Sequence, residues 1–428
     1  MMLHRSIFQL GQRYRNPSIP AWMKFLRSSD RWSREELETY QLTKLKELVS
    51  FAYEHSPYYR SIFEKENISS DEIKGLGDIE KLPILTKEQL LKNNKDIHAN
   101  YKFKKTFTAT TSGSSGDSLV FQREEAADSF NRAAIFRGYS WYEVQPWERN
   151  GYFWGFNFSW SERLKTWLLD TLQNRFRVFS YEEKAFKSFV MKLQSATYIH
   201  GYSSMIYQTA KLINEKRLER PKRLKLVKGT SEKIYESYQD EVEKAFGRKM
   251  ISEYGAAESG IIAFECPHGK MHINMEGVIV EEMENEILLT NLQMFSFPII
   301  RYKLGDYITL AKETEKCDCG RAHAILNEVT GRVGKSVYGH EGIYPSLYFY
   351  YIFKNLGKVH DLKLNYQVIQ RTKGNLEFYV EQKMSEAEQN LLKKEIKRYF
   401  KEDISFTVID DHMLSITNAK KKSFISHL

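Results

Sequence analysis

Cysteine is nearly absent, with three residues in 428. A disulfide framework is therefore excluded, and a packed interior must hold the fold. Long apolar runs are absent too; none approaches the ~18–20 residues that a membrane-spanning helix needs. The first thirty residues have neither a long apolar stretch nor a small-residue cleavage site, so no secretory signal is read there and a cytoplasmic location is expected. There is no internal repeat or low-complexity tract. No GxxxxGK[ST] phosphate loop and no GxGxxG fingerprint occur. Motifs for nucleic-acid binding are missing, and the lysines and arginines are scattered rather than striped. The formal net charge of +9 thus reads as a solvated basic surface, one that suits a polyphosphate ligand.

What is present is ordinary globular composition, 42% hydrophobic and 28% charged. Single cores stop growing at roughly 250–300 residues, so two or more domains are expected. The N-terminus carries five Arg or Lys residues and one Asp within thirty, with apolar residues interspersed. Such an arm either packs on its own domain, the plainer reading, or makes a peripheral contact with a membrane surface.

Apolar spacing predicts a helix over 34–54 and a hairpin with strands 107–110 and 118–122. A helix over 124–138 follows. Strands at 224–228 and 249–253 flank a helix at 231–246, which implies βαβ units and a parallel sheet. A second hairpin is expected at 277–282 and 286–290. Strands near 362–369, 375–381 and 404–409, with a helix at 385–400, predict a small α+β unit. The expected fold is α/β: a large N-terminal domain, 1–332, with a helical region over 1–100 and mixed parallel sheets. A small mobile α+β domain, 333–428, follows it.

Five short motifs carry candidate chemistry. Thr110 to Gly116 reads TTSGSSG, a loop whose glycines admit close approach and whose hydroxyls can donate to phosphate. Glu253-Tyr254-Gly255-Ala256-Ala257-Glu258 follows a strand, where α/β sheets place ligands. There Tyr254 can stack on a base and Glu258 can hold Mg²⁺. Arg301 to Asp306 presents Asp306 after a glycine turn, suited to accept from two ribose hydroxyls. Gly331-Arg332 and Asn418-Ala419-Lys420 complete the series. Each alone is ambiguous: a turn, a strand end, a basic tail.

In order and spacing the series resembles the adenylate-forming superfamily, and most closely its phenylacetate–CoA ligase and CapK-like branch. LVSFAYEHSPYYR, residues 48–60, is similar to a stretch typical of that branch. The resemblance implies a phosphate loop at Thr111, Ser112, Gly113, Ser114, Ser115 and Gly116. It implies an adenine-side loop at Gly229, Thr230, Ser231 and Glu232, and further nucleotide contacts at Glu253, Tyr254, Gly255, Ala256, Asp306 and Arg332. Lys420 and Glu258 take the catalytic roles. The implied reaction joins a small carboxylic acid to AMP from ATP, with Mg²⁺. Transfer to a thiol such as coenzyme A follows, or, in a CapK-like variant, to an amine or hydroxyl in surface-polysaccharide biosynthesis. The chain departs from the pattern at Ala419, where the family has Gly, at Val333-Gly334-Lys335, and at Asp117-Ser118. A non-catalytic binding relative is the alternative, and the presence of Glu258, Asp306 and Lys420 argues against it.

The cysteines form a further constellation. Cys317 and Cys319 lie about fifty residues after Cys266, and His272 follows Cys266 by six. Cys266, His272, Cys317 and Cys319 make a Cys₃His set for structural Zn²⁺; three reduced thiols are the alternative. His272 is preferred to His268, because a hairpin can turn both Cys266 and His272 inward. The aromatic segment with Tyr152, Phe153, Trp154, Phe156 and Phe158 either lines an acyl pocket or packs a core. His200 reads as a packing histidine.

Overall fold

The computed structural model describes residues 2–111, 119–153, 160–178, 183–332, 336–414 and 423–428. Helices come first. Met2–Arg15 and Ile19–Ser29 precede Arg34–His55. Ser33 starts the third helix with a capping box: its hydroxyl accepts from the Glu36 N–H and Glu36 returns the bond to the Ser33 N–H. Leu37, Leu45, Leu48, Val49 and Ala52 form its buried face, which explains why its spacing was legible.

A hairpin of β1 (Thr106–Thr110) and β2 (Val120–Glu124) leads into the helix Glu125–Ser140. The basic N-terminal arm packs here: Asn16 donates to Asp128 at 2.9 Å, Ser18 to Glu125 at 2.7 Å, and Trp22 meets Phe130 edge-on.

The central sheet takes β3 (Asn150–Phe153), β4 (Arg175–Arg177), β5 (Tyr198–Tyr202), β6 (Leu226–Thr230) and β7 (Met250–Ala256) as a parallel block. An antiparallel block continues it: β8 (Gly260–Glu265), β9 (Met271–Ile273), β10 (Val278–Met283), β11 (Glu286–Asn291), β12 (Tyr302–Leu310) and β13 (Ile325–Arg332). Among the described residues the order is β10-β11-β12-β13-β9-β8-β7-β6-β5-β3-β4. β13 is inserted between β9 and β12, which neither the chain order nor local pattern predicts.

The smaller C-terminal part is α+β, as expected. A short hairpin, β14 (Ser336–Tyr338) with β15 (Ile343–Pro345), precedes the helix Leu347–His360. β16 (Tyr366–Gln370), β17 (Asn375–Val380), β18 (Ser405–Ile409) and β19 (Phe424–Ser426) then order as β18-β17-β16-β19, with the helix Glu386–Phe400 packed on them. It docks on the larger part through Ser237–Asn365 (2.5 Å), Lys211–Glu381 (3.0 Å) and Lys354–Glu328 (2.7 Å).

Several boundaries differ from expectation. The helix predicted from 231 starts at Glu236, because Ser231 takes a left-handed φ of +65° and Glu232 caps the neighbouring helix instead, its carboxylate accepting from the Ser204 N–H at 2.9 Å. The strand predicted over 249–253 runs on to Ala256 and turns back as β8. Gly305 makes no turn: with φ +82° it lies within β12, where the pairing to β11 slips, so the backbone bulges there.

Candidate active site and metal centre

Three sequence motifs converge around the end of β7. β6 brings Lys228, Gly229 and Thr230 beside it. Gly229 is required by packing, since a Cβ there would meet Ser203 Oγ at 2.5 Å and both Ile234 and Met250 at 2.9 Å. Thr230 Oγ1 donates to Glu253 at 3.1 Å, and buried Lys228 makes a short ion pair with the same carboxylate. Glu253 is thus committed to internal partners. One residue on, the Tyr254 hydroxyl donates to Asp306 Oδ2 at 2.7 Å. In the sheet three strands separate β7 from β12. One of them, β9, is only three residues long.

Asp306 is buried and registers opposite Arg332. The Gly255–Gly260 backbones approach too closely for a Cβ at Gly255, which would lie 2.5 Å from the Gly260 carbonyl. Ala256 N–H donates to Ser259 Oγ at 3.1 Å, Asn291 donates to the Glu258 and Ser259 carbonyls at 3.2 Å, and Arg123 reaches the Ala257 carbonyl. Glu258 is therefore half-buried in a turn whose backbone is pinned from two sides. Thr111 closes the neck of the loop from β1 to β2: its N–H donates to Leu119 O and its Oγ1 accepts from Leu119 N–H, both at 2.9 Å. Ser112, Gly113, Ser114, Ser115, Gly116 and Lys420 lie outside the described residues, as does Val333-Gly334.

Sequence reasoning missed several charged residues. Arg301 is structural: it forks onto Glu281 and donates to the Glu80 and Leu82 carbonyls at 2.9 and 2.8 Å, tying the N-terminal helical region to β12. Lys228 gave no signal beyond a cation in an apolar strand. Beside it, His200 stacks on Tyr152 with centroids 4.5 Å apart, donates from Nε2 to Asn150 Oδ1 at 3.2 Å and accepts at Nδ1 from Tyr139 at 3.4 Å. Burial, then Lys228, Arg175 and Arg177, hold its pKa well below 6.5. Phe153, fully buried against Phe186 and Phe189, is core. Trp154, Phe156 and Phe158 fall outside the described residues.

The four expected ligands do come together. The donor atoms of Cys266, His272, Cys317 and Cys319 lie within 4.8 Å of one another. Cys266 and Cys317 sulfurs are 3.6 Å apart, and Cys319 Sγ is 3.1 Å from His272 Nε2. In tetrahedral zinc with these ligands two sulfurs sit about 3.8 Å apart, and sulfur and nitrogen about 3.6 Å. His272 Nδ1 faces the His323 carbonyl at 3.4 Å, so the N–H sits there and Nε2 keeps its lone pair. Burial lowers His272 to about 4, leaving it neutral. Burial pushes the Cys317 thiol up to about 12; partial burial acts the same way on Cys319, yet the Arg321 backbone N–H and guanidinium draw it down. The set fits tetrahedral zinc in number, type and spacing of donors.

Behind it lies a buried ionic network. Glu276 accepts from Arg137 at 2.6 Å and His323 at 3.0 Å, and also from Ser29 of the second helix. Burial alone would raise Glu276, but Arg137 and His323 hold it well below the usual carboxylate range.

No family model matches the chain. Protein CapK of Staphylococcus aureus is 24% identical over 293 residues, 64% of this chain and 63% of CapK. Phenylacetate-coenzyme A ligase of Aromatoleum evansii is 37% identical over 71 residues, 17% of this chain and 14% of that ligase. The chain thus spans less than two thirds of the length of either curated relative. Among solved structures, 2-hydroxyisobutyryl-CoA ligase in the postadenylation state, bound to 2-HIB-AMP, superposes with TM-score 0.70 at 16% identity, over 93% of this chain and 91% of that one. The same ligase with CoA in its thioesterification state gives TM-score 0.60 over the same shares, also at 16% identity. That likeness is one of fold. The chain therefore shares the fold of an acyl-CoA ligase and is similar in sequence to CapK and, over a shorter stretch, to phenylacetate-coenzyme A ligase.

Proposed function

We propose that the chain is an ATP-dependent ligase that activates a carboxylic acid as its acyl-adenylate and passes the acyl group to a thiol such as coenzyme A. The observation that supports it best is the Tyr254–Asp306 hydrogen bond, which joins two motifs half a hundred residues apart beside Thr230 and the Glu258 turn.

A carboxylate is a weak electrophile and must attack the α-phosphate of ATP as an anion meeting an anion, so the barrier is electrostatic. The tyrosine hydroxyl locks the Asp306 carboxylate in one rotamer, ready to accept from the ribose hydroxyls. Tyr254 presents its ring to the adenine, with Gly229 to Ser231 on the other side. Thr111 holds the neck of the loop whose residues 112–116 donate to the β- and γ-phosphates. Arg332, opposite Asp306 in register, and Glu253, held by Lys228 and Thr230 next to Tyr254 in the chain, complete the nucleotide side. Glu258 would hold Mg²⁺ through its carboxylate, and the bound ion would supply positive charge at the phosphates. Lys420, carried by the C-terminal part from residue 333 onward, places a compact positive charge between the acid and the α-phosphate. Rotation of that part about 333–334 then admits the acceptor.

Cys266, His272, Cys317 and Cys319 would hold a structural Zn²⁺ in this reading. Four protein donors would leave the ion no open position, so it would fix loops and take no part in adenylation. The CapK match is the longer of the two curated ones, which favours a second reading of the acceptor: an amine or hydroxyl of surface polysaccharide.

ATP–pyrophosphate exchange with a cognate acid is expected without any thiol. A broad panel of aliphatic, aromatic and amino acids that gives no exchange above background overturns the ligase reading. Thioester formation with added coenzyme A then separates the two acceptors.

A further inference from the structure

The helix Trp160–Leu172 turns an apolar face to solvent. Leu164, Trp167, Leu168, Leu169 and Leu172 are 54, 57, 54, 46 and 42% exposed. Single exposed leucines are ordinary, but five large apolar side chains on one thirteen-residue helix are not. At roughly 100° per residue, Leu164, Trp167, Leu168 and Leu172 fall within an arc of about 140°. Exposed Arg163 and Lys165 flank that arc, one on each side. The opposite face is fixed: buried Asp170 is bonded to Arg175 at 2.6 Å and to Arg177, so the helix cannot roll its apolar arc inward.

The first helix, Met2–Arg15, lies against it. Phe8 packs on Phe136 and Trp147, with Arg5 over the Trp147 ring. Leu3, Leu10 and Tyr14, at helical spacing, stay exposed. Residues 1–29 hold five Arg or Lys and no Asp or Glu.

We infer that these two helices form a docking face for an anionic lipid bilayer. An apolar arc with cations at its margins is the pattern of a helix lying in the membrane interface, leucines toward the acyl chains and basic groups toward headgroups. Trp167 and Tyr14 suit that boundary, being apolar bodies with one polar atom. A second copy seated on the same face would set Arg163 and Lys165 at the margins of the arc against their own equivalents, which repel. No described helix is long and apolar enough to cross a membrane, so the contact is peripheral.

The test is co-sedimentation of the full chain with phosphatidylcholine vesicles, with and without about a third phosphatidylglycerol. Binding to the anionic vesicles should be at least roughly tenfold stronger than to neutral ones, and added salt should weaken it. Leu164→Ser/Leu168→Ser should lose at least about tenfold of that binding, as expected for apolar anchoring, with thermal midpoint unchanged. Arg163→Gln/Lys165→Gln should erase much of the lipid preference while also melting normally. The inference is overturned by no binding to either vesicle, by equal binding to both, or by a dimer in solution that the leucine variant disperses while vesicle binding is absent.

Discussion

His200 sits among cations that it cannot join. It is neutral in the folded chain because protonation would bury a charge beside Lys228, Arg175 and Arg177. In the unfolded chain it titrates normally near 6.5. The unfolded state therefore takes up a proton below that pH and the folded state does not, so stability is full above 6.5 and falls as the pH drops. At pH 5 this one residue should cost up to about 2 kcal/mol. Urea unfolding of His200→Gln at pH 7.5 and pH 5 should show a pH loss smaller by that amount than the unsubstituted chain shows. An unchanged difference would mean that His200 is protonated in the folded state. The sequence suggested a packing histidine, and its hydrogen bonds agree. It gave no hint of Lys228, whose partner Glu253 comes from the next strand of the sheet and is visible only once both strands are side by side.

Element boundaries were legible where one face is buried and the chain stays regular. The helix Arg34–His55 and the hairpin of β10 and β11 fall within a residue or so of expectation. They blur where a motif bends the backbone, as at Ser231 and Gly305, since positive φ there serves the site and interrupts the pattern. The cysteine hairpin was legible from residue type alone, because thiols and an imidazole at that spacing have few other uses together. Its loops join β8 to β9 and precede β13, so losing a ligand should loosen the antiparallel block. Cys317→Ser should retain less than about a tenth of an equivalent of zinc, where the unsubstituted chain holds about one. It should also melt lower by about 5 °C, corresponding to roughly 1–3 kcal/mol in a large domain. Elemental analysis and a melting curve check both. Three freely titrating thiols in the folded, unsubstituted chain would leave three reduced cysteines as the only reading.

At the scale of the whole molecule, the presence of a smaller α+β part at the C-terminal end followed from the change of pattern over the last hundred residues. The order of the sheet did not, because pairing of β9 with β13 joins segments fifty residues apart and leaves no local trace. Catalysis in the proposed reaction depends on delivery of Lys420 from the smaller part. Lys420→Ala should lower kcat for adenylation roughly 10²–10³-fold with little change in KM for ATP, as expected for a charge that acts mainly in the transition state. An unchanged kcat would assign the role to another residue.

The insertion of β13 also sets an order of events at the ribosome. The parallel strands β3 to β7 are all made before residue 257, and β10, β11 and β12 can pair as a meander by residue 310. Neither group can close on the other until residues 325–332 emerge and fill the gap between β9 and β12. Until then the edges of β9 and β12 are open templates for other chains. A nascent chain of which β12 has emerged but residues 325–332 have not is thus the species most exposed to misassembly, and the last strand into the sheet is the one that makes it a single body.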